Sequence, residues 1–178
     1  MVNLNPDRFA GAKLIESSFP DDRGDRPAVL VEAMTAWAQD RSRSAAVLRA
    51  LQEVRLLVPV VALLGEVEYD EAGLAHDKSS DMAAVLMQGR DGRLALLAFS
   101  GVETLTAWNP EARPVAVPAQ VAAQSALQDD AVALVIDVAG PINFVVQGDD
   151  LVGLASGWTL VEVDGQSGWL QPAADDVD

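Results

Sequence analysis

The feature that most constrains the fold of this chain is a change in apolar spacing near residue 55. Residues 28–39 and 44–54 repeat their apolar side chains every three or four positions, which predicts two amphipathic helices. Residues 56–64 (LLVPVVALL) instead form a short, nearly continuous apolar run, which is typical of a buried strand. Pro59 inside that run predicts an edge strand or a bulge. A chain that changes spacing in this way requires helices packed on a sheet.

Two segment pairs downstream predict β-hairpins. The turn Gly-Arg-Asp-Gly at 89–92 joins residues 82–88 to 93–99, and Ala-Gly-Pro at 139–141 joins residues 131–138 to 142–147. Short helices are predicted over 101–107, after Pro118 and over 148–155. We therefore predict a single α+β domain with a mixed, mostly antiparallel sheet that contains β-hairpins and is covered by short helices.

Composition divides the chain into three parts. Residues 1–26 lack periodicity and contain the run SSFPDDRGDRP, so we expect a flexible N-terminal arm. Residues 27–157 hold the predicted domain. Residues 158–178 form a C-terminal extension that ends in an acidic tail, for which loose Ca²⁺ binding is a less favoured alternative to disorder.

The charge balance argues against two classes of partner. The formal net charge is −15, and such an acidic surface repels phosphate backbones and anionic lipid heads, so we expect neither nucleic acid nor membrane as a partner. The chain has no cysteine, and we see no secretory signal, so a cytoplasmic location is the simplest expectation.

Ser100 follows an apolar strand and precedes a predicted helix, where a catalytic serine could stand. A hydrolase elbow, however, requires Gly-x-Ser-x-Gly, and the window here is Ala98-Phe99-Ser100-Gly101-Val102. Ser100 and Glu103 have the spacing of a capping box instead. We therefore predict that Ser100 caps the helix and that it is not a nucleophile.

Other chemistry-bearing residues give weaker signals. His76, in the acidic loop 66–81, lacks a second histidine at ligand spacing, so a solvated histidine is favoured over a metal ligand. Asp137 ends an apolar strand near Gly-Pro, and we favour bonding to backbone amides of the turn over acid–base catalysis. We find no phosphate-binding glycine loop, and we predict no catalytic residue, metal ligand or cofactor.

Two tryptophans stand in the extension, Trp158 and Trp169. They flank TLVEVDGQSG, a pattern that allows a small terminal hairpin. Indoles carry a large apolar area, so we expect the rings to pack back on the domain, or else to form an aromatic anchor for a partner. They are the one candidate binding site in the sequence.

Three segments resemble a known family: AVLRALQEVRLLVPVVA at 46–62, GRLALLAFSGVETLTAWNPEARPVAVPA at 92–119 and ALVIDVAGPINFVV at 133–146. Together they are similar to the SseB-type N-terminal domain, a family named after a bacterial "enhanced serine sensitivity" protein, in its actinobacterial subgroup. The resemblance implies a compact α+β domain in a bacterial cytoplasm, and it supplies no catalytic residues.

We therefore expect a non-enzymatic cytoplasmic domain that binds an as yet unidentified protein partner or a small metabolite. Two alternatives stay open: a carboxylate-based enzyme, with or without Mg²⁺, and an acidic adaptor or chaperone for a secreted or basic partner. The sequence leaves the oligomeric state undetermined.

Overall fold

The computed structural model describes residue 19 and residues 21–63, 68–69, 75–76 and 81–172. The helices lie where the apolar spacing predicts them, and α1 begins directly after Pro27, whose fixed φ suits a helix start. The helices are α1 (Ala28–Gln39), α2 (Ser44–Glu53), α3 (Val102–Trp108), α4 (Ala119–Gln128) and α5 (Asp149–Ser156), with a 3₁₀ turn at Arg41–Arg43.

The strands form small sheets that are antiparallel except at one pair. In chain order they are β1 (Arg55–Leu63), β2 (Glu68–Tyr69), β3 (Ala75–His76), β4 (Asp81–Ala84), β5 (Leu86–Gln88), β6 (Leu94–Ala98), β7 (Arg113–Pro118), β8 (Ala131–Ile136), β9 (Phe144–Gln147), β10 (Thr159–Val163) and β11 (Gln166–Leu170). One sheet has the order β4-β1-β7 and another the order β5-β6-β8-β9, while β2 pairs with β3 and β10 with β11. The parallel pair is β6 with β8. The predicted α+β class, with a mixed and mostly antiparallel sheet, is confirmed.

The two larger sheets are joined at a corner. The predicted strand 82–88 is interrupted at Val85, so that β4 pairs with β1 whereas β5 pairs with β6. Val85 itself bonds to both sheets: its N–H donates to Pro59 O at 3.1 Å, and its carbonyl accepts from Leu97 N at 3.3 Å. The segment from β4 to β5 therefore connects the two larger sheets.

Pro59 does not mark an edge, and that prediction is wrong. β1 lies in the centre of its sheet, and Pro59 stands opposite Pro114 of β7. On the β4 side the carbonyl of Pro59 still accepts from Val85 N. The Val85 carbonyl accepts from Leu97 in β6, so the missing N–H of Pro59 leaves no acceptor without a partner there. This arrangement allows a proline in a central strand.

Two apolar clusters hold these layers together. The larger one lies between the helices and one face of the β5-β6-β8-β9 sheet, with Leu30, Leu51, Leu134 and Leu154 fully or almost fully buried. The smaller one contains Phe99, Leu105 and the half-buried Trp108, whose ring centroid lies 5.4 Å from that of Phe99. The smaller cluster lies beside the Ser100 corner, so packing fixes that corner in place.

Candidate functional site

Ser100 takes part in a buried polar network and does not cap a helix. The N-cap of α3 is Gly101, which has no side chain that could accept from the amides of the first turn. The Ser100 hydroxyl donates to Asp137 Oδ2 at 2.6 Å and accepts from Arg26 Nε at 2.9 Å. The capping-box prediction is wrong because the cap falls one residue later, at Gly101, and the Ser100 oxygen accepts from the Arg26 guanidinium instead of a helix amide.

Asp137 is the centre of this network. Its side chain is completely buried, and its backbone has a φ of 55°, which places the carboxylate under the corner. Oδ1 accepts from Ser100 N at 2.8 Å and from Thr104 Oγ1 at 2.6 Å, and Oδ2 faces Arg26 Nη2 at 3.5 Å. Asp137 thus accepts one backbone amide, as predicted for its side chain, but that amide belongs to a distant strand end and not to its own turn.

A second arginine extends the network to the N-terminal side. Arg55, at the start of β1, is only 8% exposed. Its guanidinium donates to both carboxylate oxygens of Asp22, to the carbonyl of Ser100 and to the carbonyl of Asp25. The hydrogen bonds from Arg55 hold the pKa of Asp22 below its ordinary value.

These contacts attach residues 22–26 to the domain, although the sequence predicts a flexible arm over residues 1–26. Val102 N donates to Gly24 O at 2.8 Å, and Gly24 N donates to Asp22 Oδ1 at 3.0 Å. Residues 22–26 are therefore hydrogen-bonded to the domain, whereas the sequence predicts that they are flexible. Residues 1–18 lie outside the described residues.

The network fits an anchor better than a reaction centre. Ser100 and Asp137 have no exposed surface, and Thr104 is 2% exposed. In the described part of the chain, every buried side-chain nitrogen and oxygen has a hydrogen-bond partner. With two carboxylates facing two guanidiniums and with all oxygens in use, the cluster offers no open position for a substrate.

A groove lies on another part of the surface, between α5 and the β10–β11 hairpin. Its volume is about 580 Å³, within the range of ligand pockets, and it is open to solvent. The groove is lined by Gln147, Asp149, Asp150, Val152, Trp158, Ser167, Gly168 and Trp169.

Trp169 is held in this groove by its contact with α5. The indole lies directly on the helix at Gly153, where a Cβ atom would stand 2.2 Å from Cδ2 of the ring. Its Nε1 donates to Asp150 Oδ1 at 2.9 Å, and the ring packs against the larger apolar cluster. The predicted packing of this tryptophan onto the domain is therefore observed.

Trp158 occupies a different environment. Its backbone is fixed, because its N–H donates to Gly153 O at 3.0 Å and its carbonyl accepts from Gln52 Nε2 at 2.8 Å. Its indole is half-buried and forms a wall of the groove. The predicted terminal hairpin is confirmed, and it is anchored by the buried Leu160 and by an ion pair of 2.9 Å between Arg49 and Glu162.

The remaining candidates lie largely outside the described residues. His76 belongs to β3, but its side chain, most of the acidic loop 66–81 and the tail 173–178 lie outside the described residues. Across the described residues, no group of three His, Asp or Glu side chains is arranged to hold a metal ion. Within that same part of the chain, every helix is too short or too polar to cross a membrane.

Four residues were singled out from the sequence. The structure places Ser100 and Asp137 in the buried network, and Trp158 and Trp169 in the groove. It also adds residues that sequence reasoning missed. Arg55 could have been noticed, since a charged residue between apolar neighbours at a strand start often signals a buried ion pair. The other missed residues, Asp22, Arg26, Thr104, Asp149 and Asp150, carry no such signal.

Comparison with known proteins identifies the domain. No curated protein and no solved structure matches the chain. A family model described as the SseB protein N-terminal domain matches residues 30–152, about two thirds of the chain. That match includes Arg55, Ser100 and Asp137 and the α5 wall of the groove, whereas both groove tryptophans follow it. The chain therefore belongs to the SseB family.

Proposed function

We propose that this SseB domain acts by binding, without catalysing a reaction, and that its partner is another protein that docks in the groove between α5 and the β10–β11 hairpin. The observation that carries the proposal is the half-buried indole of Trp158 in the wall of an open groove. Tryptophan is among the residues most enriched at the energetic centres of protein interfaces. In this proposal the domain works in the cytoplasm of an actinobacterium.

The buried network supports binding over a carboxylate-based enzyme. Asp137 is the acid best placed by sequence for acid–base chemistry, yet both its oxygens accept hydrogen bonds inside the protein. A general base must be within reach of a substrate proton, and Asp137 is fully buried. The Mg²⁺-dependent enzyme would therefore have to use other carboxylates.

The acidic adaptor is the second candidate, and one observation favours it. Asp149 and Asp150 lie in the groove of a chain whose net charge is −15, so a basic partner surface would be attracted to it. A small metabolite is the alternative occupant, since the groove volume is large enough for one.

The test replaces Ser167, which lines the groove and leaves Trp158 in place, with a photo-crosslinking phenylalanine derivative, and compares it with the same replacement of Val29, an exposed residue of α1. We expect position 167, and not position 29, to crosslink one protein in cells. The purified partner should then bind the wild-type chain and bind Trp158→Ala about tenfold more weakly or worse, as for an interface anchor.

Four results would contradict the proposal. Crosslinking at 167 no greater than at 29, or equal affinity of the partner for Trp158→Ala, would remove the groove as the docking surface. A metabolite that raises the melting temperature of the wild-type chain but not of Trp158→Ala would make the ligand a small molecule. Mg²⁺-dependent turnover of such a metabolite would instead support the enzyme.

A further inference from the structure

We infer that the groove binds an arginine side chain presented by the partner protein, with the guanidinium stacked on Trp158 and paired with Asp149 and Asp150. The inference deepens the proposed function and rests on it. It is carried by the juxtaposition of two indoles and two carboxylates in one open groove.

The carboxylates provide charge that no basic side chain in the described part of the chain neutralises. Within the described residues, no basic side chain forms an ion pair with Asp149 or Asp150. Asp150 uses Oδ1 to accept from Trp169 Nε1, which orients its carboxylate in the groove wall. Both acids lie in the first turn of α5, whose dipole offsets about half a unit of charge, so the groove keeps a net negative charge.

The indoles provide the surface for a cation. A guanidinium or ammonium over a tryptophan ring is attracted by the negative face of the ring. The chain shows this arrangement elsewhere: Cζ of Arg41 lies 3.8 Å from the ring centroid of Trp37. Trp158 presents the same ring type in a groove that Asp149 and Asp150 also line.

Arginine fits this combination better than lysine or an apolar residue. Its planar guanidinium can stack on an indole and donate two parallel hydrogen bonds to a carboxylate, whereas an ammonium is compact and strongly hydrated. An apolar side chain would cover Asp149, Asp150 and Gln147 and leave their polar atoms without partners. The charge of −15 also attracts a basic segment over a long distance.

The test uses the full chain and defined probes. The chain has four tryptophans, so its ¹H–¹⁵N spectrum should contain four indole signals, which single Trp→Phe variants assign. The probe is an acetylated, amidated peptide of alternating glycine and arginine. Matched peptides carry lysine, glutamine or glutamate in place of arginine.

We expect the arginine peptide to shift the indole signals of Trp158 and Trp169 while those of Trp37 and Trp108 stay in place. Its affinity should exceed that of the glutamine peptide by about tenfold and exceed that of the lysine peptide by a smaller factor. The shifts should weaken in about 0.5 M NaCl, because salt screens the carboxylates.

The charge contribution is tested by the double variant Asp149→Asn, Asp150→Asn. Asparagine keeps an oxygen that can accept from Trp169 Nε1, so the groove should retain its shape. We expect this variant to lose most of the preference for the arginine peptide and to keep only the smaller part that stacking on Trp158 supplies. Glu103→Gln is the matched control, since Glu103 is an exposed acid in the first turn of α3, and it should bind as the wild-type chain does.

Several outcomes would overturn the inference. These are equal shifts with the arginine and glutamine peptides, no shift with any peptide, or an unchanged affinity in the double asparagine variant. A shift of Trp158 that depends on protein concentration without peptide would make the occupant a second copy of the chain. A crosslinked partner segment without arginine would also refute this inference, while it would leave the proposed docking in the groove intact.

Discussion

At the scale of single residues, the hydroxyl of Ser100 joins two opposite charges. It donates to Asp137 and accepts from Arg26, so it lies between a buried carboxylate and a guanidinium that is 19% exposed. Burial of an ion pair is costly unless further hydrogen bonds satisfy both partners. Ser100 and Thr104 supply those bonds to Asp137, which explains why small hydroxyl residues stand at both positions.

We predict that Thr104→Val destabilises the fold by about 1.5–3 kcal/mol, because it removes a hydrogen bond to a buried charged group at nearly constant volume. Ser100→Ala should have an effect of similar size, again about 1.5–3 kcal/mol. Urea unfolding at neutral pH measures both. Neither change should alter crosslinking from position 167, since the network and the groove share no residue.

Thr106→Val is the control for this prediction. Thr106 lies in the same helix, is exposed, and its hydroxyl bonds only within the helix, to Val102 O at 2.8 Å and Glu103 O at 3.2 Å. We expect a change within about 0.5 kcal/mol. Equal effects at 104 and 106 would refute the anchoring role. Full stability of Ser100→Ala with loss of cellular function would restore Ser100 as a reactive residue.

At the scale of elements, the β10–β11 hairpin depends on a close approach between an indole and a helix. Gly153 lies in the middle of α5, where glycine costs about 1 kcal/mol relative to alanine. The position is explained by Trp169, whose ring occupies the space that a Cβ atom would take. Glycine at position 153 therefore lowers the helix propensity of α5, but it leaves the space in which the Trp169 ring of the hairpin packs.

We predict that Gly153→Ala displaces Trp169 and loosens the hairpin. Overlap with the ring should cost about 1–3 kcal/mol, partly offset by the gain in helix propensity of about 1 kcal/mol. The indole signal of Trp169 should move towards the position of a solvated indole as its bond to Asp150 is lost. Amide exchange should increase in residues 159–170 and stay slow in the buried strand β8.

Gly168→Ala is the matched control, because a Cβ atom at Gly168 would meet no atom within 4 Å. It should leave the Trp169 signal unchanged. If Gly153→Ala also leaves that signal and the hairpin exchange rates unchanged, the close contact between Trp169 and α5 does not hold the hairpin in place.

At the scale of the whole molecule, residues 22–26 connect parts of the fold that are distant in sequence. Asp22 and the carbonyl of Asp25 bind Arg55 in β1, and the carbonyl of Gly24 accepts from Val102 at the start of α3. The attachment depends on charge in a molecule whose net charge is −15. Lowering the pH therefore has two opposed effects on stability. It relieves the overall charge repulsion, which stabilises the fold, and it neutralises Asp22, which removes the ion pair with Arg55.

Comparison of the wild-type chain with Asp22→Asn separates these effects, because overall repulsion is nearly the same in both. The pKa of Asp22 is lowered in the folded state from an ordinary value of 3.8. Its contribution to stability is therefore fully present above the unfolded pKa and is lost as the pH falls through the folded pKa. We predict a constant stability difference from pH 7 to about 5, which narrows below about pH 4.

Urea unfolding at a series of pH values measures this difference, and amide exchange of residues 22–26 reports detachment of the segment. Asp91→Asn is the control, since Asp91 also binds an arginine, Arg93, but on an exposed turn where solvent screens the pair. We expect Asp91→Asn to follow the wild-type curve. A difference between wild type and Asp22→Asn that persists unchanged to pH 2 would show that the carboxylate charge does not hold the segment.

The sequence by itself determined the elements and their class. Apolar spacing located α1, α2 and α5, the two central hairpins and the terminal hairpin, because these patterns depend on neighbours within a few residues. The acidic composition and the segments that resemble the SseB family are equally local properties. The fold class and the family therefore follow from residues that stand close together along the chain.

Only the tertiary structure decided what the polar residues do. Ser100 has the local spacing of a capping residue, but its partner Asp137 lies 37 residues away and Arg26 lies 74 residues away. Pro59 has the local signature of an edge or a bulge, but a central strand tolerates it because the Val85 carbonyl opposite it bonds to Leu97. Asp149 and Trp158 line one groove because the hairpin returns onto α5. Local spacing specifies backbone geometry, whereas a buried charge selects its partners from whatever side chains the packed fold brings within hydrogen-bonding distance.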